Sequence, residues 1–151
     1  MDSILSILIM CLIDNRKFRI SLREKVCYKI LVYRGEVKNG TMFETPVQET
    51  SVLLEKDKTN VLVAEDKHSP VKNQFGEYEY YRGFIHAFTD SSKAESIAYH
   101  NNLYLARNNK CRTFHIYRVF ECIIPRFTRY GYDAETKNIC ARKMIVKQRI
   151  C

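Results

Sequence analysis

The sequence predicts an α+β domain in which a curved, mostly antiparallel sheet of five or six strands carries one main helix. Several segments alternate apolar and polar residues with the period of two that half-buried strands show, whereas one segment, at about 91–106, has helical spacing. The 151 residues, 46% of them hydrophobic, are enough to bury one sizeable core. We therefore expect a single domain over residues 26–151.

The first strong strand signal covers residues 26–35. Alternate residues there share one face: Val26, Tyr28, Ile30 and Val32. The Asn39-Gly40 pair downstream favours a tight hairpin, so residues 41–43 are expected to pair back on this strand. Further strand signals lie at residues 60–64, 83–89, 112–124 and 143–150, whereas residues 129–133 are interpreted as a loop or a short edge strand.

The helix is expected to begin near residue 91 because polar capping residues precede an apolar stripe. Ser92 and Glu95 match a capping box, and Asp90 offers a competing N-cap. The pattern stops near residue 106, before a pair of turn-forming asparagines. We therefore predict one helix of about four turns.

The helix should pack on the strand over residues 112–124. Its stripe carries Ala94 and Ala98, which are small enough for close approach, and Phe120 is expected to supply bulk opposite them. Cys27 and Cys122 lie in apolar strand segments and are expected in the core. The sheet and the helix would then form two packed layers.

Residues 1–25 are interpreted as an N-terminal apolar arm or extension. Nine of the ten residues 4–13 are apolar, but a transmembrane helix needs about 20, so no membrane span is expected. Asp2 before the run and basic residues after it do not match an export signal. Three interpretations stay open: a buried strand or helix, an arm for self-association in a homo-oligomer, and an extension upstream of a start near Met10.

The six cysteines are scattered and include no C-x-x-C pair. A zinc site needs clustered ligands, so no metal site is expected. Together with the missing export signal, this favours a reduced, cytoplasmic protein.

Charge is distributed unevenly along the chain. Residues 1–106 hold 14 Lys or Arg and 14 Asp or Glu, whereas residues 107–151 hold 11 and 3. A basic surface with interleaved aromatic residues favours binding to nucleic acid, a nucleotide or an acidic protein, and a merely solvated basic face is the competing interpretation. Phe127 and Arg149 lie in this segment, and the candidate binding residues are Arg126, Arg129, Tyr130, Tyr132, Arg142, Lys143 and Lys147, with the two tyrosines stacking on bases.

Three short motifs follow one another: Tyr33-Arg34-Gly35, then Gly83–Thr89 with a helix directly after it, then a long strand that ends at Pro125. This order resembles small proteins of phages and bacterial mobile elements and, more distantly, the scaffold of ADP-ribosyltransferases. The resemblance implies an enzyme with NAD as substrate, in which Arg34 meets the dinucleotide, Thr89 supports the site and Glu135 stands for the late glutamate.

The sequence departs from the ADP-ribosyltransferase pattern in its last third, where the family's Glu-x-Glu pair is missing. A non-enzymatic protein that binds an anionic partner and needs no cofactor is therefore the preferred expectation. Arg34 follows the strand face of Ile30 and Val32, so its guanidinium needs either a carboxylate or a cleft that an anion can enter. We expect a cleft near Arg34, as a second candidate for the anion site.

Overall fold

A computed structural model describes residues 18–46, 50–65, 71–72, 78–80, 83–108, 116–133 and 136–151. These residues form a ten-stranded antiparallel sheet with one helix and a separate two-stranded sheet, so the α+β class is confirmed. The large sheet contains Phe18–Ile20 (β1), Lys25–Val37 (β2), Gly40–Glu44 (β3), Ser51–Glu55 (β4), Asn60–Val63 (β5), Ile85–Phe88 (β8), Tyr117–Ile124 (β9), Arg129–Asp133 (β10), Asn138–Ala141 (β11) and Lys143–Arg149 (β12). The small sheet contains Val71–Lys72 (β6) and Tyr78–Tyr80 (β7), and the helix is Ser91–Asn108 (α1).

The sheet has more strands than the five or six expected. Its main order is β1-β10-β11-β8-β2-β9-β12-β5, with β3 added to β2 and β4 added to β3. Strands β1, β4 and β11 were missed because runs of three to five residues are too short to show alternation. β10 pairs with a strand on each side, so it is not the edge strand or loop expected at residues 129–133.

Strand β1 belongs to the same sheet, although it precedes residue 26, where the domain was expected to begin. Residues 1–17, and with them most of the predicted apolar arm, lie outside the described residues. The first four residues of the strand predicted at 112–124 also lie outside them, and β9 covers its second part.

The main core lies on one face of the sheet and includes both predicted cysteines. Cys27 and Cys122 are opposite each other in the β2–β9 register and are 0% exposed, which confirms them as core residues. Phe120 lies on the same face and contacts the Phe43 ring edge-on, with ring centroids 5.2 Å apart. The main core therefore lies on one face of a sheet that β3 and β4 extend, and Phe43 of β3 belongs to it.

Helix α1 covers the opposite face of β2 and β9. Ala94, Ala98 and Val119 are all 0% exposed and pack together with Ile30. The expectation that Phe120 lies opposite the helix was wrong by one residue, because neighbouring strand residues point to opposite faces. No helix in the described part of the chain is long and apolar enough to cross a membrane.

Two polar residues determine how α1 is attached. Asn102 is 8% exposed, and its side-chain amide donates to the carbonyl oxygen of Tyr117 (2.9 Å) and accepts from the Tyr117 N–H (2.7 Å). The amide thus makes the two backbone hydrogen bonds that a neighbouring strand would otherwise make. Asp90 caps the helix by accepting from Ser92 N–H (2.9 Å). The N-cap is therefore Asp90, two residues before the Ser92 of the predicted capping box. Hydrogen bonds from the Lys137 ammonium and from Ser92 lower the pKa of Asp90.

Candidate anion-binding site

Ser21 joins two loops at one end of the sheet. Its backbone N–H donates to Thr128 O (2.9 Å), and its carbonyl oxygen accepts from Phe127 N–H (2.6 Å). Its hydroxyl accepts from Thr128 N–H (2.9 Å), and the residue is 0% exposed. These bonds hold the β1–β2 loop, residues 21–24, beside the β9–β10 turn, residues 125–128. We call the two segments the loop pair.

Cationic residues gather around the loop pair because strand pairing brings distant segments together. Arg129 pairs with Ile20 of β1, and its carbonyl oxygen accepts from Arg142 N–H (3.0 Å). Lys143 follows directly at the start of β12. We call this region the basic end, and its cations are Arg19, Arg23, Lys25, Arg126, Arg129, Arg142 and Lys143.

Four of the predicted binding residues lie at the basic end: Arg126, Arg129, Arg142 and Lys143. Sequence reasoning missed Arg19, Arg23 and Lys25, because they lie far outside the basic third of the chain, which begins at residue 107. Only the pairing of β1 with β10 and of β2 with β9 brings them there. No local sequence feature predicts that pairing.

The cations of the basic end differ in what their side chains contact and in how exposed they are. The Arg142 guanidinium donates to Gly83 O, and the Arg129 guanidinium lies 5.4 Å from the centroid of the Phe84 ring. Both therefore help to hold the sheet. Arg23, Arg126 and Lys143 are exposed instead, so an anion in solution can reach them.

The two tyrosines expected to stack on bases are not at one place. Tyr130 is 8% exposed and belongs to the main core, and the Lys25 ammonium lies 4.9 Å from its ring centroid. Tyr132 is 44% exposed, but it lies at the other end of β10, in a shallow groove shared with Thr89 and Lys137. A buried ring offers no face to a base, and Tyr132 is remote from the loop pair.

Phe127 is the exposed aromatic residue of the loop pair. Its side chain is 70% exposed, and the Arg126 guanidinium lies 4.8 Å from its ring centroid. Its φ of 61° belongs to the left-handed region, which bulky residues rarely adopt and which costs about 1–2 kcal/mol. The turn thus holds a large apolar ring in solvent at a position that suits glycine. Leu22, in the other segment of the loop pair, is 73% exposed.

Lys147 does not join this group. It lies at a bulge of β12, four residues beyond Lys143, which is about 13 Å along a strand. It is exposed, and its charge contributes to the other end of the sheet.

The residues assigned through the ADP-ribosyltransferase resemblance lie apart. Arg34 is 57% exposed, and its Nε lies 2.6 Å from Glu44 Oε2, so a carboxylate neutralises it where we expected a cleft. Thr89 donates its hydroxyl to Lys137 O (3.3 Å) at the start of α1. Because Phe88 pairs with Tyr28, Arg34 lies roughly 20 Å along β2 from Thr89. Glu135 lies outside the described residues.

The interior of the sheet holds a second group of ionisable residues. Lys29 is 6% exposed, its ammonium donates to His86 O (2.6 Å), and burial lowers its pKa to about 8. Burial also raises the pKa of Cys122 and of Cys140 to about 12 each, and it raises that of Cys27 further. These thiols stay protonated and act as apolar core residues.

Two further observations bear on the site. Within the described ranges, no group of three His, Cys, Asp or Glu side chains is placed to hold a metal ion. No protein-family model, curated protein or solved structure matches this chain. The likeness to phage proteins and to ADP-ribosyltransferases therefore stays a prediction, and a function has to be argued from the geometry.

Proposed function

We propose that the protein is a non-enzymatic binding protein that holds single-stranded nucleic acid at its basic end. The observation that supports this is the exposure of Arg23, Arg126 and Lys143 at the same end of the sheet as the exposed ring of Phe127, with the Arg126 guanidinium 4.8 Å from the ring centroid. Cations neutralise phosphates, and an aromatic ring stacks on a base whatever its identity. A single strand offers both contacts at once, because its bases are not paired.

The other anionic partners fit the basic end less well. A free nucleotide has its phosphates at one point, whereas the cations extend from β1 to β12 over the ends of several strands. An acidic protein would engage the cations but has no flat base for Phe127. The strained turn that keeps Phe127 in solvent supports a partner that uses the ring.

Salt dependence tests the phosphate contacts. We expect wild-type protein to bind a labelled single strand of about 12 nucleotides in fluorescence anisotropy, with affinity that falls steeply as salt rises. In the triple variant Arg23→Ala, Arg126→Ala, Lys143→Ala, the slope of log K against log salt should fall by about 2, since each lost contact removes roughly 0.7. The matched control is Lys38→Ala, Lys56→Ala, Lys147→Ala, which removes the same charge at exposed positions elsewhere.

The two triple variants have equal net charge, so they separate a site from a general attraction. Equal loss of binding in both would mean that the basic end is only a solvated surface. Absence of wild-type binding even at low salt would also overturn the proposal.

The stacking contact is tested separately with Phe127→Gly. This variant should lose about 1–3 kcal/mol of binding free energy for the oligonucleotide. It should bind heparin as wild type does, because heparin has charge but no bases. Tyr132→Ala should bind both ligands normally, and equal loss on both by Phe127→Gly would show that the ring only shapes the turn.

A further inference from the structure

The hydroxyl of Ser21 completes the β9–β10 turn from the neighbouring loop. In an ordinary four-residue turn, the carbonyl oxygen of the first residue accepts a hydrogen bond from the N–H of the fourth. The first and fourth residues of this turn are Pro125 and Thr128. Ser21 Oγ donates to Pro125 O (2.6 Å) and accepts from Thr128 N–H (2.9 Å). One hydroxyl therefore bonds to both groups that would otherwise bond to each other.

Ser21 also contacts the backbone on both sides of Phe127. The φ and ψ angles of a residue describe how its two flanking peptide planes are oriented. The plane before the Phe127 Cα carries the Phe127 N–H, which donates to Ser21 O (2.6 Å). The plane after it carries the Thr128 N–H, which donates to Ser21 Oγ. Both planes are thus bound to acceptors of a single residue, in the conformation in which the φ of Phe127 is 61°.

The fold holds Ser21 itself in place. The residue is 0% exposed, it follows β1 directly, and its N–H donates to Thr128 O (2.9 Å). The preceding residue, Ile20, pairs with Arg129 of β10. A left-handed φ at a bulky residue persists only where the surroundings over-determine it. Ser21, anchored by the pairing of β1 with β10, supplies that constraint.

The bonds to the turn need a side chain that donates and accepts at once. A hydroxyl does both, whereas the methyl group of alanine does neither and the thiol of cysteine is weak at both. Without the hydroxyl, Pro125 O and Thr128 N–H can bond directly to each other. A bulky third residue then favours the type I turn, in which its φ is negative and unstrained. The ring of Phe127 would leave its present position.

We propose that Ser21 is the positioning residue of the nucleic-acid site, because its hydroxyl holds the Phe127 ring ready to stack before the strand binds. This role rests on the proposed function, since it concerns the same ring. Preorganisation raises affinity because the turn does not have to be ordered during binding. Ser21 is buried and uncharged, so it acts on the stacking contact and leaves the phosphate contacts unchanged.

Ser21→Ala tests this role in the full-length protein. Its affinity for the single strand of about 12 nucleotides should fall about 5-fold or more, toward the loss seen in Phe127→Gly. The slope of log K against log salt and the affinity for heparin should match wild type, because all cations remain. Ser21→Cys keeps the size of the side chain and weakens its bonds, so it should show a smaller loss and provides the measurement if Ser21→Ala does not fold.

The double variant Ser21→Ala, Phe127→Gly shows whether the two residues act together. Its affinity should equal that of Phe127→Gly, because no ring is left to position. The matched control is Thr45→Ala, which removes another buried hydroxyl, one that accepts from Thr50 N–H (2.8 Å) outside the loop pair. Thr45→Ala should bind the strand as wild type does. Additive losses from Ser21→Ala and Phe127→Gly would overturn the positioning role.

Backbone chemical shifts of Phe127 separate this role from the proposed function. In wild type they should have the values of a positive φ, and in Ser21→Ala they should move to those of a negative φ. Unchanged shifts in Ser21→Ala, or an oligonucleotide affinity equal to that of wild type, would overturn the role of Ser21 even if wild type binds the strand. Absence of wild-type binding, with the shifts changing as expected, would overturn the proposed function and with it the binding role of Ser21.

Discussion

The middle of strand β2 and the loop that leads into it are neighbours in sequence but have opposite surroundings. Residues 29–32 are at most 6% exposed, because α1 covers one face of the strand and the main core covers the other. In the loop, Leu22 is 73% exposed, and in the turn that Ser21 joins to it Phe127 is 70% exposed. The buried middle therefore supplies stability, whereas the loop pair presents side chains that folding does not use.

Each of these regions contains a cation. The two cations differ in their cost in folding free energy and in their accessibility to an anion. Lys29 is enclosed with a carbonyl partner, so its charge costs folding free energy and its pKa is lowered. Arg126 lies in solvent over the ring of Phe127, so its charge costs little and is open to an anion. A count of cations along the chain cannot distinguish these roles, whereas variants in each region can.

The largest change in stability is expected from a substitution where α1 meets the sheet. Ala98→Asp places a carboxylate at a position that is 0% exposed, which costs several kcal/mol and is comparable to the whole stability of a domain. We expect the variant to be largely unfolded by circular dichroism. Ser96→Asp adds the same charge on the exposed side of α1 and should melt within a few degrees of wild type. Equal melting of both variants would contradict the packing of α1.

The second largest change in unfolding free energy is expected from substitution of Lys29, and it depends on pH. Its folded-state pKa of about 8 lies below the ordinary value of 10.5, so between these values the unfolded chain binds more protons and stability rises with pH. Relative to Lys29→Met, wild type should gain up to about 3 kcal/mol of unfolding free energy from pH 7.5 to 10.5.

Denaturant unfolding at several pH values measures this gain. The buried thiols lower stability at high pH, but they are present in both proteins and cancel in the difference. A constant difference between wild type and Lys29→Met across this range would show that the Lys29 ammonium is solvated.

The smallest change in unfolding free energy is expected at the loop pair, where a substitution should stabilise the protein slightly or leave its stability unchanged. Phe127→Gly relieves the positive φ, so unfolding free energy should be unchanged or should rise by up to about 1 kcal/mol. Arg126→Gly, at the preceding turn position without a positive φ, should lose about 0.5–1 kcal/mol. Equal losses in the two variants would show that the turn stores no strain and would weaken the functional argument built on Phe127.

The helix and the long strands could be predicted because their signals are local. Helix α1 combines capping residues and an apolar stripe within 18 consecutive residues, and β2 has 13 residues of strand pattern. Strands such as β1, with three residues, have no stable conformation of their own and form only against a partner. Their number could not be read from the sequence for that reason.

The binding residues were predicted in part. The basic excess of the last third is a property of composition, and it led to Arg126, Arg129, Arg142 and Lys143. Stacking was assigned to Tyr130, which the main core buries, whereas Phe127, three residues earlier, is held in solvent by its turn. Neither outcome follows from residue type, because both depend on strand parity and on the conformation of one residue.

The α+β class, the position of α1 and the segment that carries the excess charge follow from local patterns, because periodicity and composition are sums over neighbouring residues. Which cations meet and which aromatic ring faces solvent depends on the complete fold. Arg23 and Arg126 come together because Ser21 bonds to Thr128, 107 residues away in sequence. Such a contact forms when the pairing of whole strands outweighs the entropy of closing a long loop, and that balance belongs to the complete fold.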